Sequence, residues 1–175
     1  MTESPDATAR AGGTGFVGRH IVECALARGG GADYGALKAL CEQAVHAALP
    51  GRALLLRPGI VAGPHDPTNR FSWWVARLAR GGRVLAPGAR ERPIQLVDAR
   101  DLAAFTLQMT AARAIGVYNA AGSADLTWGA MLGACASGTD AELVWVPDAS
   151  LLAAGIDESQ LPLWIAASEA RLIGA

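Results

Sequence analysis

Residues 34–63 read YGALKALCEQAVHAALPGRALLLRPGIVAG. Two periodicities meet in this stretch, and their junction decides the fold class. Leu37, Leu40, Cys41, Ala44, Val45 and Ala48 recur at helical spacing, which predicts an amphipathic helix over 35–49. Pro50 and Gly51 stop it. The apolar run 53–56, ALLL, then suits a strand buried on both faces. Arg57-Pro58-Gly59 is expected to break that run, and residues 59–67, GIVAGPHDP, are expected to form a turn-rich loop.

The alternation continues downstream. Phe71, Trp74, Val75 and Leu78 form a second helical stripe closed by Gly81-Gly82. RVLAPG (83–88) predicts a short strand and turn, and PIQLVD (93–98) a second, with Ile94 and Leu96 on one face. Asp98 or Asp101 suits the cap of a helix over 102–112. GVYNAAG (116–122) predicts strand into turn. Thr127 suits the N-cap of a helix through Cys135, with Trp128, Met131, Leu132 and Cys135 as its apolar positions. ELVWVP (142–147) predicts a strand, and residues 149–175 one or two short helical pieces. Strands alternating with helices argue for an α/β architecture with a mainly parallel sheet.

Composition narrows the function classes. The 175 residues suffice for one domain with a core, and 51% apolar against 18% charged residues describes a globular chain. Fifteen basic and sixteen acidic residues give a formal net charge of -1, which carries no electrostatic footprint for nucleic acid or for an anionic membrane. No apolar run reaches the length of a membrane span, and the polar start MTESPDATAR has no hydrophobic signal region, so a soluble cytoplasmic protein is expected. Cys24, Cys41 and Cys135 are scattered and odd in number, which argues against a disulfide framework. His20 and Cys24 could share a helix face, but two ligands do not make a metal site, and no metal is expected.

Two segments could carry chemistry. The first is GGTGFVGRHIVECALARGG (12–30), with Gly12, Gly15 and Gly18 at three-residue spacing. Such glycines permit a tight turn, a close approach to a pyrophosphate and close packing of the following helix, whose N-terminal amides would face the phosphates. The motif requires a strand before it and an acidic residue about twenty positions later. SPDATARA (4–11) has little strand propensity, and Asp33 reads as a loop or cap residue because no strand separates it from the helix. A glycine-punctuated helix start is the plainer reading of this segment taken alone. The second segment places Tyr34 and Lys38 four residues apart on one helix face. A nearby ammonium favours the phenolate and lowers the phenol's pKa from about 10, so the pair could exchange a proton with a substrate oxygen near neutral pH. Taken alone, a half-buried tyrosine beside a solvated lysine is the simpler reading.

GGTGFVGRH (12–20), YGALK (34–38), RPGIVAGP (57–64) and IQLVDARDLA (94–103), in that order, resemble the extended short-chain dehydrogenase/reductase superfamily, in particular its NAD-dependent epimerase/dehydratase branch. The resemblance implies an oxidoreductase or epimerase using NAD or NADP on a hydroxyl or carbonyl of a small molecule, with a sugar-nucleotide-like substrate as one option. It implies that Gly12, Thr14, Gly15, Phe16, Val17 and Gly18 line the pyrophosphate, and that Tyr34 is the catalytic acid or base. Lys38 would hold the nicotinamide ribose and lower the tyrosine pKa, and Pro58 and Gly59 would lie along the nicotinamide. His65 to Arg92, with Trp73 and Trp74, would belong to a small substrate-binding insertion over 64–97 within a single domain over 1–175. Asp98 and Asp101 are expected to fix local structure.

Only fifteen residues separate Gly18 from Tyr34, where the resemblance implies several strand-helix units and one βαβ unit alone takes about 30 residues. The stretch before Tyr34, GGGAD (29–33), also lacks the Ser or Thr that the resemblance implies near the tyrosine. The expected fold is therefore a partial Rossmann-like doubly wound sheet, shortened internally, with Gly29–Gly31 as the seam, and cut short after LPLWI. Weak or absent activity is expected. The alternative expectation is a non-catalytic remnant that acts as a binding or oligomerisation module, with a homo-oligomer formed through bared apolar edges.

Overall fold

A computed structural model describes residues 34–157 and 159–166. The chain forms two units, Met1–Leu55 with Arg113–Tyr118, and Leu56–Ala112 with Asn119–Ala175. The order of elements is α1 (Tyr34–Ala48), β1 (Leu54–Pro58), β2 (Ile60–Ala62), α2 (Arg70–Ala79), β3 (Gly82–Pro87), β4 (Leu96–Asp98), α3 (Ala99–Ala111), β5 (Gly116–Ala120), α4 (Trp128–Ala136), β6 (Ala141–Val146) and α5 (Asp148–Ala153). The mixed α/β class expected from the alternation of periodicities is present, with its strands in pairs: β1 with β5, β2 with β4, and β3 with β6.

In the first unit, α1 begins at Tyr34 and ends just before Pro50, as the helical spacing requires. Leu37, Cys41, Ala44 and Val45 are half-buried along its apolar stripe, while Leu40 is exposed. The Gly116 N–H donates to Ala53 O at 2.9 Å and starts the pairing of β1 with β5.

In the second unit, β2 and β4 run parallel, with Ile60 opposite Leu96, Val61 opposite Val97 and Ala62 opposite Asp98. A parallel pair needs a long crossover, and residues 63–95 provide it through α2 and β3. The β3·β6 pair is also parallel, from Gly82 opposite Ala141 to Pro87 opposite Val146. Its crossover holds β4, α3, β5 and α4.

The alternation of side chains along β3 builds two cores. Val84 and Ala86 project into the larger cluster, with Trp74 and Leu78 from α2, Trp128, Met131 and Leu132 from α4, and Ile94. Leu143 and Trp145 of β6, which share that face, pack against it. Leu85 and Val146 lie on the other face, against Leu151, Trp164 and Ala166. Trp74 and Trp128 meet edge to face at 5.3 Å between α2 and α4, an arrangement favoured by the ring quadrupoles. Each buried indole N–H has a partner: Trp74 Nε1 donates to Pro162 O at 2.6 Å and Trp128 Nε1 to Pro87 O at 2.9 Å.

Three local expectations are corrected. The strand does not stop at Arg57. It continues to Pro58 and resumes at Ile60–Ala62, inside the segment expected to be loop. The β-branched Ile60 and Val61 gain a pairing partner in β4 that no local signal announces. The strand in PIQLVD is confined to Leu96–Asp98, while Pro93, with no N–H to give a ladder, makes a single antiparallel bridge to Thr127. Helix α3 starts at Ala99 rather than 102, because Asp98, not Asp101, is its cap: Asp98 Oδ1 accepts the Arg100 N–H at 2.8 Å. Thr127 caps α4 as expected, its Oγ1 accepting the Ala130 N–H at 3.1 Å.

Candidate functional site

Of the residues that the sequence singles out, Gly12, Thr14, Gly15, Phe16, Val17 and Gly18 lie outside the described residues, as do His20, Cys24 and Asp33. Tyr34 is the first residue of α1, and Lys38 lies one turn later with its side chain exposed. Both belong to the first unit, and Pro58 and Gly59 belong to the second.

Gly59 is the point where the strand changes neighbours. Its N–H donates to Ala120 O at 3.2 Å, the last residue of β5, and the next N–H, Ile60, donates to Gln95 O at 2.9 Å, just ahead of β4. The backbone passes so near Gln95 that a Cβ at Gly59 would lie 2.9 Å from its carbonyl oxygen. Gly122, just beyond β5, approaches more closely still, where a Cβ would lie 1.9 Å from Leu96 O. The Gln95-Leu96 backbone is thus clasped by two residues without side chains. Only residues without a Cβ permit this contact.

The carboxyl ends of β2 and β4 lie together because the pair is parallel, and in open α/β sheets this is the edge where ligands bind. The loop after β2 departs from ordinary backbone geometry. His65 has φ 68° and Asn69 φ 52°, both in the left-handed region that costs most side chains energy. Between them Asp66 accepts both the N–H of Thr68 at 2.9 Å and its hydroxyl at 2.6 Å, and these two bonds, the hydroxyl first, hold the Asp66 carboxyl below its ordinary pKa. Asn69 occupies the cap position of α2 without its side chain bonding the helix. His65 and Asn69 offer an exposed imidazole and an exposed carboxamide in the loop between β2 and α2, groups suited to hydrogen bonding a polar ligand.

On the β4 side, Arg100 grips Asp98 through two side-chain bonds of 2.9 Å and 2.7 Å. The Arg100 side chain first, and its backbone N–H second, lower the Asp98 pKa to about 2. Stability from this carboxylate is present above its unfolded pKa near 3.9 and is lost as pH falls toward 2. In a carbon-detected titration the Asp98 carboxyl should therefore change with a midpoint near 2, and a midpoint near 4 would show that the Arg100 contact does not persist in solution.

The substrate region that the resemblance implies is divided by burial. Trp73 is 39% exposed, but Trp74 is fully buried in the core, so its role is packing. Composition and motif gave no sign of three further features. His65 carries the unusual backbone just noted. The Arg90 guanidinium stacks 5.1 Å from the Trp145 ring. Arg92 and Asp148 form a largely buried ion pair. The positive-φ position of His65 has no signature in residue type, whereas the turn residues Gly63, Pro64 and Asp66 around it are a signal that a tight loop lies there. Among the described residues no group of three or more His, Cys, Asp or Glu could hold a metal ion, and no helix is long and apolar enough to cross a membrane.

No protein-family model matches the chain, and no curated protein matches it.

Proposed function

We propose that this chain is a nicotinamide-linked oxidoreductase or epimerase of the extended short-chain type, using NAD or NADP on a hydroxyl or carbonyl of a small molecule, with weak turnover. The observation that supports the reading is the parallel β2·β4 pair, entered through Gly59 and followed directly by the capped helix α3. RPGIVAGP and IQLVDARDLA, two of the four segments that carry the family resemblance, are the segments that pair there.

In this proposal Gly12, Gly15 and Gly18, with the backbone at Thr14, Phe16 and Val17, cradle the pyrophosphate, and Pro58-Gly59 runs along the nicotinamide. Tyr34 moves the proton to or from the substrate oxygen. Lys38 holds the ribose hydroxyls and favours the tyrosinate by its charge. The bound dinucleotide supplies the hydride, which no side chain can. A cytoplasmic protein is part of the reading, and its scattered cysteines suit a reducing compartment.

Titration with NADH and with NADPH, followed by nicotinamide fluorescence, tests the proposal. Saturable binding of one of them is expected, and Tyr34→Phe should retain that binding while losing turnover. No binding of either nucleotide at millimolar concentration would reject the reading. The fifteen-residue interval between Gly18 and Tyr34 favours a second reading, a non-catalytic remnant that self-associates. Leu107 at 72% and Ile115 at 54% exposure are apolar surface of the kind such association would cover. A monomer in sedimentation velocity across the micromolar range would reject that second reading.

A further inference from the structure

We infer that residues 161–166, LPLWIA, form a releasable strap, latched by the Arg92–Asp148 ion pair, whose opening uncovers Trp74 while the β3·β6 pair stays folded. The strap crosses from one core to the other. Leu161 and Leu163 pack against the larger cluster, and Pro162 O accepts the Trp74 indole N–H at 2.6 Å. Trp164 and Ala166 are buried in the smaller cluster with Leu151 of α5. The segment is thus the cover over one fully buried tryptophan and the centre of a separate packing unit.

Its fastening is polar and converges on α5. Asp148 Oδ1 accepts the Trp164 indole N–H at 2.9 Å. Asp148 Oδ2 accepts from Arg92 Nη2, and Arg92 Nη1 reaches the strap backbone at Ile165 O, 2.5 Å away. One carboxylate and one guanidinium therefore tie the strap, α5 and the turn after β3 together. The pair is mostly withdrawn from water, with side-chain exposures of 20% and 16%, so removing either charge leaves the other poorly solvated.

Two features favour release of the strap as a unit. Leu163 sits at φ 66°, a conformation that a branched, bulky side chain adopts at a cost and that persists only where neighbouring contacts hold it. Those contacts are the tryptophan bonds on either side of it, at Pro162 and Trp164. The smaller cluster packs on β3·β6 through the side chains of Leu85 and Val146, and the strap reaches the larger core through Leu161 and Leu163. Its release thus takes apart side-chain packing and leaves the backbone pairing of β3 with β6 in place. Local units of this kind open before the whole fold.

Native-state hydrogen exchange of the full chain in rising urea, read by mass spectrometry, tests the inference. Amides of 148–156 and 161–166 should exchange together, with a weaker urea dependence than those of 82–87 and 141–146. Asp148→Asn and Arg92→Gln should each speed exchange in 148–166 by roughly tenfold or more while β3 and β6 exchange as before, and the double variant should add little to either single one. Exchange of the strap only together with β3 and β6, at one urea dependence in the unmodified chain, overturns the inference whether or not the variants fold. Equal acceleration everywhere in both variants overturns it as well.

Discussion

Trp74→Ala should lower the melting temperature by roughly 6–20 °C. The side chain is fully buried, meets Trp128 edge to face, and gives its indole N–H to Pro162 O. Truncating a buried tryptophan to alanine costs about 3–5 kcal/mol, because transfer energy is lost and a cavity remains. For a chain of this length each kcal/mol moves the melting temperature by roughly 2–4 °C, and a domain of this kind holds about 5–15 kcal/mol in all. The neighbour Trp73, 39% exposed, is the internal comparison. Thermal denaturation followed by far-ultraviolet circular dichroism should show a small shift for Trp73→Ala and a large one for Trp74→Ala. Equal shifts would mean that Trp74 is not the centre of the core.

Gly122→Ala should be the second severe substitution. The added methyl would lie 1.9 Å from Leu96 O. The atom in the way is backbone of β4, so no rotamer relieves the clash and the strand must move. Overpacking costs about 1–3 kcal/mol and more where backbone shifts; a loss of about 3 kcal/mol is expected here, with the amides of β2 and β4 losing protection first. Gly133 in α4 supplies a control of opposite sign. Nothing lies within 4 Å of a Cβ built there, and replacing a helical glycine by alanine stabilises by about 0.5–1 kcal/mol. Should Gly122→Ala unfold at the same denaturant concentration as the unmodified chain, the clasp around Leu96 would be wrong, and with it the geometry at the head of β4.

The candidate site was legible in part, and the division has physical causes. RPGIVAGP and IQLVDARDLA stood out as motifs, and they are the segments that pair as β2 and β4. That Ile60–Ala62 is strand rather than loop could not be read locally, because the flanking Pro58, Gly59, Gly63 and Pro64 all signal turns. The strand exists there because residues more than thirty positions away supply its hydrogen bonds. His65 is similar: its backbone conformation is imposed by the loop around it, and histidine as a residue type does not announce it. Trp74 shows the reverse error. An aromatic pair in a region expected to bind substrate invited a binding role, yet the helical stripe of Phe71, Trp74, Val75 and Leu78 had already put Trp74 on an apolar face.

The amino-acid sequence alone determined the order of helices and strands apart from β2, the ends of α1 and α4 and the threonine cap at Thr127, because spacing, prolines and short polar side chains act over a few residues. Tertiary structure alone decided which strands pair, which face of β3 meets which cluster, and that Asp148 lies beside Arg92 and Trp164. Those outcomes depend on groups far apart in the chain competing for the same burial and the same hydrogen bonds, and a linear pattern carries no record of who wins.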